Sequence, residues 1–391
     1  MNDTTPHMGT LAVWAGENEP ASGAGTQVPI VRSVAFGYRD VAEWEAVGRG
    51  QVAGDIYSRN TNPTVRAFEQ KIQCLEGAEA ATSFASGMAA ISNTLFTFLA
   101  PGERVVSIQD TYGGTNKVFL EFLPRQTVEV EICPTEDAAV EAAVAKGCQV
   151  LYLETPTNPT LKVLDLPRLL KAGQRVGAVT VVDNTFATPI NQRPLELGAD
   201  LVVHSATKYL GGHADALGGA VCGKKDLVSR VYHYREITGA ALDPTAAYLL
   251  LRGMKTLHLR VERQSASALT IAQHLSAHPA IAQVHYPGLG SDPGYPVAKR
   301  QMRGFGGIVS FELVGGANAM HHFLPRLRYA HRAANLGSVE TVAGPPATTS
   351  HVELTPEERV TAGIPEGLIR YSVGIEDPGD LMADLDQALA P

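Results

Sequence analysis

A lysine and two hydroxyl groups directly follow an apolar stretch in "DLVVHSATKYLGG", residues 200–212. Residues 201–203, Leu-Val-Val, predict a buried strand, and Ser205, Thr207 and Lys208 come after it. An amine at a buried strand end loses its proton more readily than a solvated one and can attack a carbonyl carbon. The two hydroxyls can hydrogen-bond a phosphate. For Lys208 taken alone, a structural lysine in a salt bridge is the alternative.

Two other strand ends carry polar groups. Asp183 ends the apolar stretch "VTVVD", where its charge needs a partner: either a helix that it caps or a positively charged ring nitrogen. Gly87 and Met88 lie in "SFASGMAA", at a strand-to-helix junction whose free N–H groups suit a phosphate, although a structural turn has the same pattern. An amine for an aldehyde, a carboxylate for a ring nitrogen and a phosphate cradle together match pyridoxal 5'-phosphate.

The elements that carry these groups alternate between strands and helices. Strands are predicted for "RVVSI", "VEVEIC", "QVLYLE", "VTVVD" and "DLVVHS", and helix-length segments lie between most of them. Continuous Val, Leu and Ile strands separated by helices indicate an α/β fold with a mainly parallel sheet covered on both faces. Ligands bind beyond the carboxyl ends of such strands, which is where Asp183 and Lys208 fall.

The pattern divides the chain into three parts. Residues 1–60 are rich in Gly, Pro and short polar residues and predict an arm that runs over a surface, either of its own chain or of a neighbouring subunit. Residues 61–255 predict the cofactor-binding α/β domain, which opens with the amphipathic helix "TVRAFEQKIQCLEG". Residues 256–391, with a long helical stretch followed by "GGIVSFEL" and "GLIRYSVGIED", predict a smaller α+β domain.

Composition excludes several classes of function for this chain of 391 residues. Its formal net charge of -8, without a basic run, argues against a nucleic-acid partner. It has neither a signal-peptide pattern nor the roughly 18-residue apolar run of a membrane helix, so we expect a cytoplasmic protein without membrane association. The cysteines lack metal-site spacing, and His213 and Asp215 in "GHAD" lack a third ligand, so we expect reduced thiols and no metal.

The motifs together resemble one family of enzymes. "VVDNTFATP" and "HSATKYLGGHAD", with "YSRNTNPT", "ETPTNP" and "LIRYSVGIED", are similar to the Cys/Met-metabolism group of pyridoxal-phosphate enzymes. That group includes cystathionine γ-synthase, cystathionine γ-lyase, methionine γ-lyase and homoserine-ester sulfhydrylases, and the resemblance covers nearly the whole chain. It implies the fold-type I, aspartate aminotransferase-like architecture: a mainly parallel seven-stranded sheet plus a smaller C-terminal α+β domain. It also implies a homotetramer, a dimer of dimers with shared active sites.

The resemblance also implies a role for each matching residue at the cofactor. Lys208 would form the Schiff base, and Asp183 would keep the pyridine nitrogen protonated. Tyr112 would stack on the ring, and Asn158 would contact the phenolic oxygen. The phosphate would be bound by Gly87, Met88, Ser205 and Thr207, together with Tyr57 and Arg59 of the adjacent subunit.

The implied reaction is elimination or replacement at Cγ of a γ-substituted L-amino acid such as cystathionine or a homoserine ester. Arg370 would bind the substrate α-carboxylate, a task suited to the guanidinium fork, and Tyr112 or the neighbour's Tyr57 would protonate the leaving group. Glu340 matches a glutamate of γ-acting members and is also expected at the substrate.

Two departures from the family pattern bear on the substrate. Gly114 stands where methionine γ-lyases carry a cysteine, which favours the synthase and cystathionine-lyase branch. Asn335 stands where the family typically has a serine beside the substrate carboxylate. A homoserine-ester sulfhydrylase, or a lyase for a leaving group such as a canavanine-like hydroxyguanidine, therefore stays open. An aminotransferase or a non-catalytic member fits the residues less well.

Overall fold

The computed structural model describes residues 6–17, 25–349, 351–352, 355, 357, 359 and 363–390. Residues 1–5 and 18–24 of the predicted N-terminal arm lie outside the described residues, as does Pro391 at the end of the predicted C-terminal domain.

Fourteen α-helices and twelve strands are described within these ranges. The helices are α1 Met8–Trp14, α2 Val41–Gly48, α3 Pro63–Glu76, α4 Gly87–Phe98, α5 Gly113–Lys117, α6 Asp137–Val144, α7 Leu166–Arg175, α8 Thr188–Asn191, α9 Lys225–Thr238, α10 Pro244–Met254, α11 Leu257–Ser276, α12 Tyr295–Gln301, α13 Gly316–Arg326 and α14 Pro378–Leu389. The strands are β1 Ala80–Phe84, β2 Arg104–Ile108, β3 Glu129–Cys133, β4 Val150–Glu154, β5 Val179–Asp183, β6 Leu201–Ser205, β7 Gly219–Gly223, β8 Ile281–His285, β9 Ile308–Leu313, β10 His331–Arg332, β11 Val342–Gly344 and β12 Leu368–Ser372.

Seven strands form the larger sheet, in the order β1-β7-β6-β5-β4-β2-β3. The pairs from β6 through β5, β4 and β2 to β3 are parallel, whereas β7 runs antiparallel to both β1 and β6. All five strands predicted from sequence are present, and the prediction of a mainly parallel α/β sheet is confirmed. The carboxyl ends of β4, β5 and β6 therefore meet at one edge of the sheet.

Apolar layers cover both faces of this sheet. Val181 and Leu201 belong to a cluster that includes Leu95 of α4, and Leu151 and Val182 belong to a second cluster that includes Leu169 of α7. Each of these side chains is fully buried. Burial of a Leu or Val side chain contributes about 1.5–3 kcal/mol. The central strands are apolar on both faces, and their packing holds the polar residues at their carboxyl ends in position at the cavity described below.

A second sheet of five strands lies in the C-terminal part, in the order β10-β11-β12-β9-β8. Its pairs are antiparallel apart from β10 with β11, and α11 and α13 pack against β9. This mixed sheet with helices accords with the smaller α+β unit expected from sequence. The boundaries at residues 60 and 255 stay predictions.

The N-terminal part contains two helices that its weak periodicity did not indicate. α1 packs against α3 and α11, and Ala12 is fully buried there. Lys71 of α3 donates from Nζ to the carbonyls of Ala12 and Val13, each at 2.8 Å, and to Glu17 Oε1 at 2.9 Å. A helix this short is not stable alone. The contacts with Lys71, a residue distant from α1 along the chain, therefore hold this helix in place.

None of the helices in the described part of the chain combines the length and the apolar character needed to cross a membrane.

Candidate active site

A cavity of about 240 Å³ opens beyond the carboxyl ends of β4, β5 and β6. It lies between the larger sheet and the C-terminal unit, which contributes Arg370 of β12. Nine residues expected at the site from sequence line it: Gly87, Met88, Tyr112, Asn158, Asp183, Ser205, Thr207, Lys208 and Arg370. They come from separate strand ends and loops, which the parallel sheet brings together.

Lys208 lies in the turn that follows β6. The turn is closed by the N–H of Lys208 donating to the Ser205 carbonyl and by that of Gly212 donating to the Lys208 carbonyl. The ammonium donates from Nζ to Asn335 Oδ1 at 2.9 Å, and no carboxylate pairs with it among the ion pairs of the described residues. Burial lowers the pKa of Lys208 to about 8, and the nearby charge of Arg370 acts in the same direction. The amine is thus more often unprotonated, and more nucleophilic, than an exposed lysine.

The N-terminus of α4 forms one end of the cavity. Ser86 caps this helix with Oγ, which accepts from the N–H of Ala89 at 3.1 Å, and the cavity is lined by Gly87 and Met88. The first N–H groups of a helix have no partner within it, and they attract anions. Ser205 and Thr207 add hydroxyls at the same cavity.

Asp183 lies at the end of β5 and is only 7% exposed. Oδ1 accepts from the N–H of Thr185 at 3.0 Å, and Oδ2 accepts from the hydroxyl of Tyr152 at 3.3 Å. Burial raises the pKa of Asp183, and the hydrogen bonds from Thr185 oppose that rise. A buried carboxylate of this kind is stabilised by a cation placed opposite it.

Arg370 enters from β12 of the smaller sheet, on the far side of the cavity. Its Nη1 donates to Asn158 Oδ1 at 2.9 Å, and its Nη2 donates to the carbonyl of Asn335 at 3.3 Å. Burial lowers the pKa of Arg370 to about 10, so the guanidinium still carries its charge at neutral pH. No carboxylate pairs with it among the ion pairs of the described residues, which leaves this cation available for an acidic ligand.

The cavity fits pyridoxal phosphate on three counts. The first is the amine of Lys208, which has no carboxylate partner among the described ion pairs, and the second is the buried carboxylate of Asp183. The third is a phosphate-sized cradle: a Cβ at Gly87 would lie 2.7 Å from Cβ of Ser205, so only glycine leaves this junction open. The same chain thus presents one group for each functional end of that cofactor.

Four residues expected at the site do not line this cavity. Tyr57 and Arg59 are exposed and contact each other, with the Arg59 guanidinium 5.1 Å from the centre of the Tyr57 ring. Glu340 is also exposed. Asn335 lines an adjoining cavity that shares Thr207 and Lys208 with the first. Within one chain the structure therefore brings together the nine lining residues named above, with Asn335 beside them, but not Tyr57, Arg59 or Glu340.

Other lining residues did not stand out from the sequence. Glu154 ends β4 as Asp183 ends β5, so an acid at the end of an apolar strand was the available signal. Phe186, Leu336 and Thr349 also line the cavity, and nothing in their local sequence marks them. No group of three metal-ligating side chains occurs in the portion of the chain that is described.

Comparisons with known proteins agree with this geometry. The model of the family described as "Cys/Met metabolism PLP-dependent enzyme" matches residues 9–390. L-methionine γ-lyase of Pseudomonas putida is 43% identical over 98% of this chain and 97% of its own length. The chloroplastic cystathionine γ-synthase 1 of Arabidopsis thaliana is 42% identical over 97% of this chain and 68% of its own length.

A solved structure is also similar over nearly the whole chain. The crystal structure of cystathionine γ-synthase from Xanthomonas oryzae pv. oryzae superimposes with a TM-score of 0.93 at 37% identity, covering 99% of this chain and 98% of the other. This confirms the fold-type I architecture and the pyridoxal-phosphate cofactor expected from sequence. The chain belongs to the Cys/Met-metabolism family of pyridoxal-phosphate-dependent enzymes, the family of these γ-lyases and γ-synthases.

Proposed function

We propose that this enzyme acts on an L-amino acid with a leaving group at Cγ, of the cystathionine or homoserine-ester kind, and that Lys208, Asp183 and Arg370 carry the reaction. The observation that supports this most directly is their convergence on one cavity, with Lys208 and Arg370 both lacking a carboxylate partner among the described ion pairs. The γ-lyases and γ-synthases to which the chain is similar support the same class of reaction.

Each residue has a separate task in this proposal. Bound pyridoxal phosphate supplies an aldehyde for amines and an electron sink for charge that develops at the substrate Cα. Asp183 would supply the negative charge that keeps the ring nitrogen of the bound cofactor protonated. Lys208 would hold the cofactor through its aldehyde and would act as the base that takes the proton from the substrate Cα. A positioned general base of this kind contributes about 100- to 10,000-fold in rate.

Substrate orientation is assigned to Arg370 and proton donation to Tyr112. The Arg370 guanidinium can bind the substrate α-carboxylate with two hydrogen bonds while Asn158 holds it in place from Oδ1. Tyr112 lines the same cavity and is 42% exposed, and its phenol is a hydrogen-bond donor that would protonate the leaving group at Cγ.

Gly114 supports the synthase and cystathionine-lyase branch. A Cβ at this position would lie 2.8 Å from Cε1 of Tyr112 and 2.9 Å from Sδ of Met88. The cysteine of methionine γ-lyases would therefore displace the Tyr112 ring in this chain. Sequence identity does not separate the branches, since it is 43% to a methionine γ-lyase and 42% to a cystathionine γ-synthase.

Asn335 keeps a second group of substrates under consideration. Its Oδ1 accepts from Lys208 Nζ, and its carbonyl accepts from Arg370, so it contacts two of the residues to which this proposal gives the reaction. With the Lys208 amine engaged by the cofactor, Oδ1 would be available to accept from a substrate N–H group. A γ-substituent rich in N–H donors, such as a hydroxyguanidine, is therefore the alternative to a thioether or an ester.

The substrate proposal is tested by supplying purified enzyme with cystathionine, O-acetylhomoserine, O-succinylhomoserine, methionine and canavanine, each with and without cysteine. We expect release of a 2-oxo acid from cystathionine or thioether formation from a homoserine ester, at rates above those with methionine. Methionine as the best substrate would contradict the branch assignment, and canavanine as the best would favour the alternative. Stable amino transfer without ammonia would refute the reaction class.

We also propose that Tyr57 and Arg59 act in the active site of a second copy within a homotetramer. They are exposed and do not line the cavity of their own chain. The N-terminal part that carries them exposes large apolar side chains, among them Trp14 at 69%, Val41 at 67% and Trp44 at 51%. Burial of these side chains against a second copy would remove apolar surface from water. Glu340 is likewise proposed to reach the substrate only in the assembled enzyme.

Mixing two inactive variants tests this sharing of sites. Arg59→Ala chains and Lys208→Ala chains should each be inactive, but a hybrid dimer contains one site with both residues intact. After random reassembly we expect activity in about a quarter of the sites. No recovery, although hybrids are present by mass spectrometry of the intact complex, would show that Arg59 does not act across a shared site.

We place the enzyme in the cytoplasm. All four cysteines are free thiols, and Cys74 is exposed, which suits a reducing compartment. Cell fractionation with an antibody to the chain checks this, and recovery in an extracellular or membrane fraction would contradict it.

A further inference from the structure

Glu154 is a buried acid in the active-site cavity that has no part in the reaction described so far. It is the last residue of β4, is 4% exposed, and pairs in register with Asp183 of β5, so the two carboxyl groups lie on the same face of the sheet. Burial, followed by the charge of Asp183, raises the pKa of Glu154 well above its usual value. Burial of a second acid beside Asp183 costs free energy unless its oxygens are hydrogen-bonded.

The carboxyl group of Glu154 lies against the backbones of Tyr112 and Asn158. Oε2 accepts from the N–H of Tyr112 at 2.9 Å, and the backbone N–H of Asn158 lies close enough to lower the pKa of the Glu154 carboxyl group. Tyr112 belongs to the loop after β2, and Asn158 belongs to the loop after β4. One side chain thus joins the two loops that border the cavity.

These two backbone contacts matter because the side chains of Tyr112 and Asn158 have few other contacts that fix their positions. The Tyr112 ring is 42% exposed, so packing within the chain leaves much of its position unfixed. Asn158 in turn accepts from Nη1 of Arg370 at 2.9 Å. Glu154 is therefore linked to Tyr112 directly and to the guanidinium of Arg370 through Asn158.

We propose that Glu154 is a positioning residue that sets Tyr112 and Asn158 around the bound cofactor and, through Asn158, sets Arg370 for the substrate. This inference rests on the roles proposed above for Tyr112, Asn158 and Arg370. It assigns no contact of Glu154 with the reacting atoms. Its effect is expected in how the cofactor is held and in the apparent affinity for substrate.

The test compares Glu154→Ala and Glu154→Gln with the control Glu129→Gln, an acid on β3 of the same sheet whose side chain is 67% exposed. Cofactor affinity is measured by titrating the apoenzyme, and cofactor geometry is measured by the circular dichroism induced in its visible band. We expect Glu154→Ala to raise the cofactor Kd about tenfold or more and to change that band, because the N–H of Tyr112 loses its acceptor and the backbone of Asn158 loses the neighbouring carboxyl group. Glu154→Gln, which keeps one acceptor oxygen, should be intermediate, and the control should match the parent.

Double variants separate positioning from general destabilisation. If Glu154 acts through Tyr112, the change in the dichroism band caused by Glu154→Ala should shrink several-fold in a Tyr112→Ala background. Wild-type affinity and dichroism in Glu154→Ala, or an undiminished effect in the Tyr112→Ala background, would overturn the inference. If the alanine variant does not fold, the same comparison with Glu154→Gln decides. Should Tyr112→Ala alone leave the cofactor band and the activity unchanged, the proposed role of Tyr112 fails instead.

Discussion

Replacement of Lys208 by alanine is expected to lower kcat/KM at least about a thousandfold. The amine at this position both binds the cofactor aldehyde and moves the substrate proton, and proton transfer alone is worth about 100- to 10,000-fold. Since Lys208 pairs with Asn335 and with no carboxylate among the described ion pairs, its removal leaves no buried charge unpaired. The variant should therefore fold, bind pyridoxal phosphate without a covalent bond, and be nearly inactive.

Steady-state kinetics with the best substrate of the panel measures this effect. Lys171→Ala, which removes an exposed lysine from α7, is the matched control and should keep parental activity. Addition of a small amine such as methylamine should restore part of the lost rate if only the amine is missing. Activity of Lys208→Ala within tenfold of the parent would refute the assignment.

The second large effect is expected from Arg370→Lys, which keeps the charge but loses the planar fork. A lysine cannot bind a carboxylate with two parallel hydrogen bonds and also donate to Asn158, so both contacts weaken. A hydrogen bond to a charged group contributes about 1.5–3 kcal/mol, so its loss corresponds to roughly 10- to 150-fold. We expect most of this loss in KM and a smaller loss in kcat.

Initial rates over a wide range of substrate concentration check the Arg370 prediction. Arg263→Lys, on the exposed side of α11 with 45% of its side chain accessible, serves as the control. An unchanged KM in Arg370→Lys, together with a lower kcat, would show that Arg370 does not bind the substrate carboxylate.

The larger sheet could be predicted because its signals are local. β2 to β6 are short runs of Val, Ile and Leu between helical segments, and chains of this pattern form parallel sheets. Since parallel strands end at one edge, the pattern alone brings Asp183 and Lys208 together. Because the polar strand ends were expected at one edge of the sheet, they could be matched to the functional ends of a single cofactor.

Other features depend on contacts between residues distant along the chain. α1 is fixed by Lys71, which lies 58 and 59 positions from the carbonyls that it contacts. The bond between Lys208 and Asn335 spans 127 positions, and that between Tyr112 and Glu154 spans 42. No local pattern reports such pairs. Glu154 ends an apolar strand just as Asp183 does, so the sequence marks both acids in the same way. The contact of Glu154 with the backbone of Tyr112 is visible only in the structure.

Reduction of the holoenzyme with borohydride, followed by peptide mass spectrometry, tests the central claim most directly. The cofactor should be fixed to one peptide, with the added mass on Lys208 and on no other lysine, and the visible absorption band should disappear. Lys208 unmodified, or the cofactor attached to a different lysine, would contradict the account of this cavity as the catalytic centre.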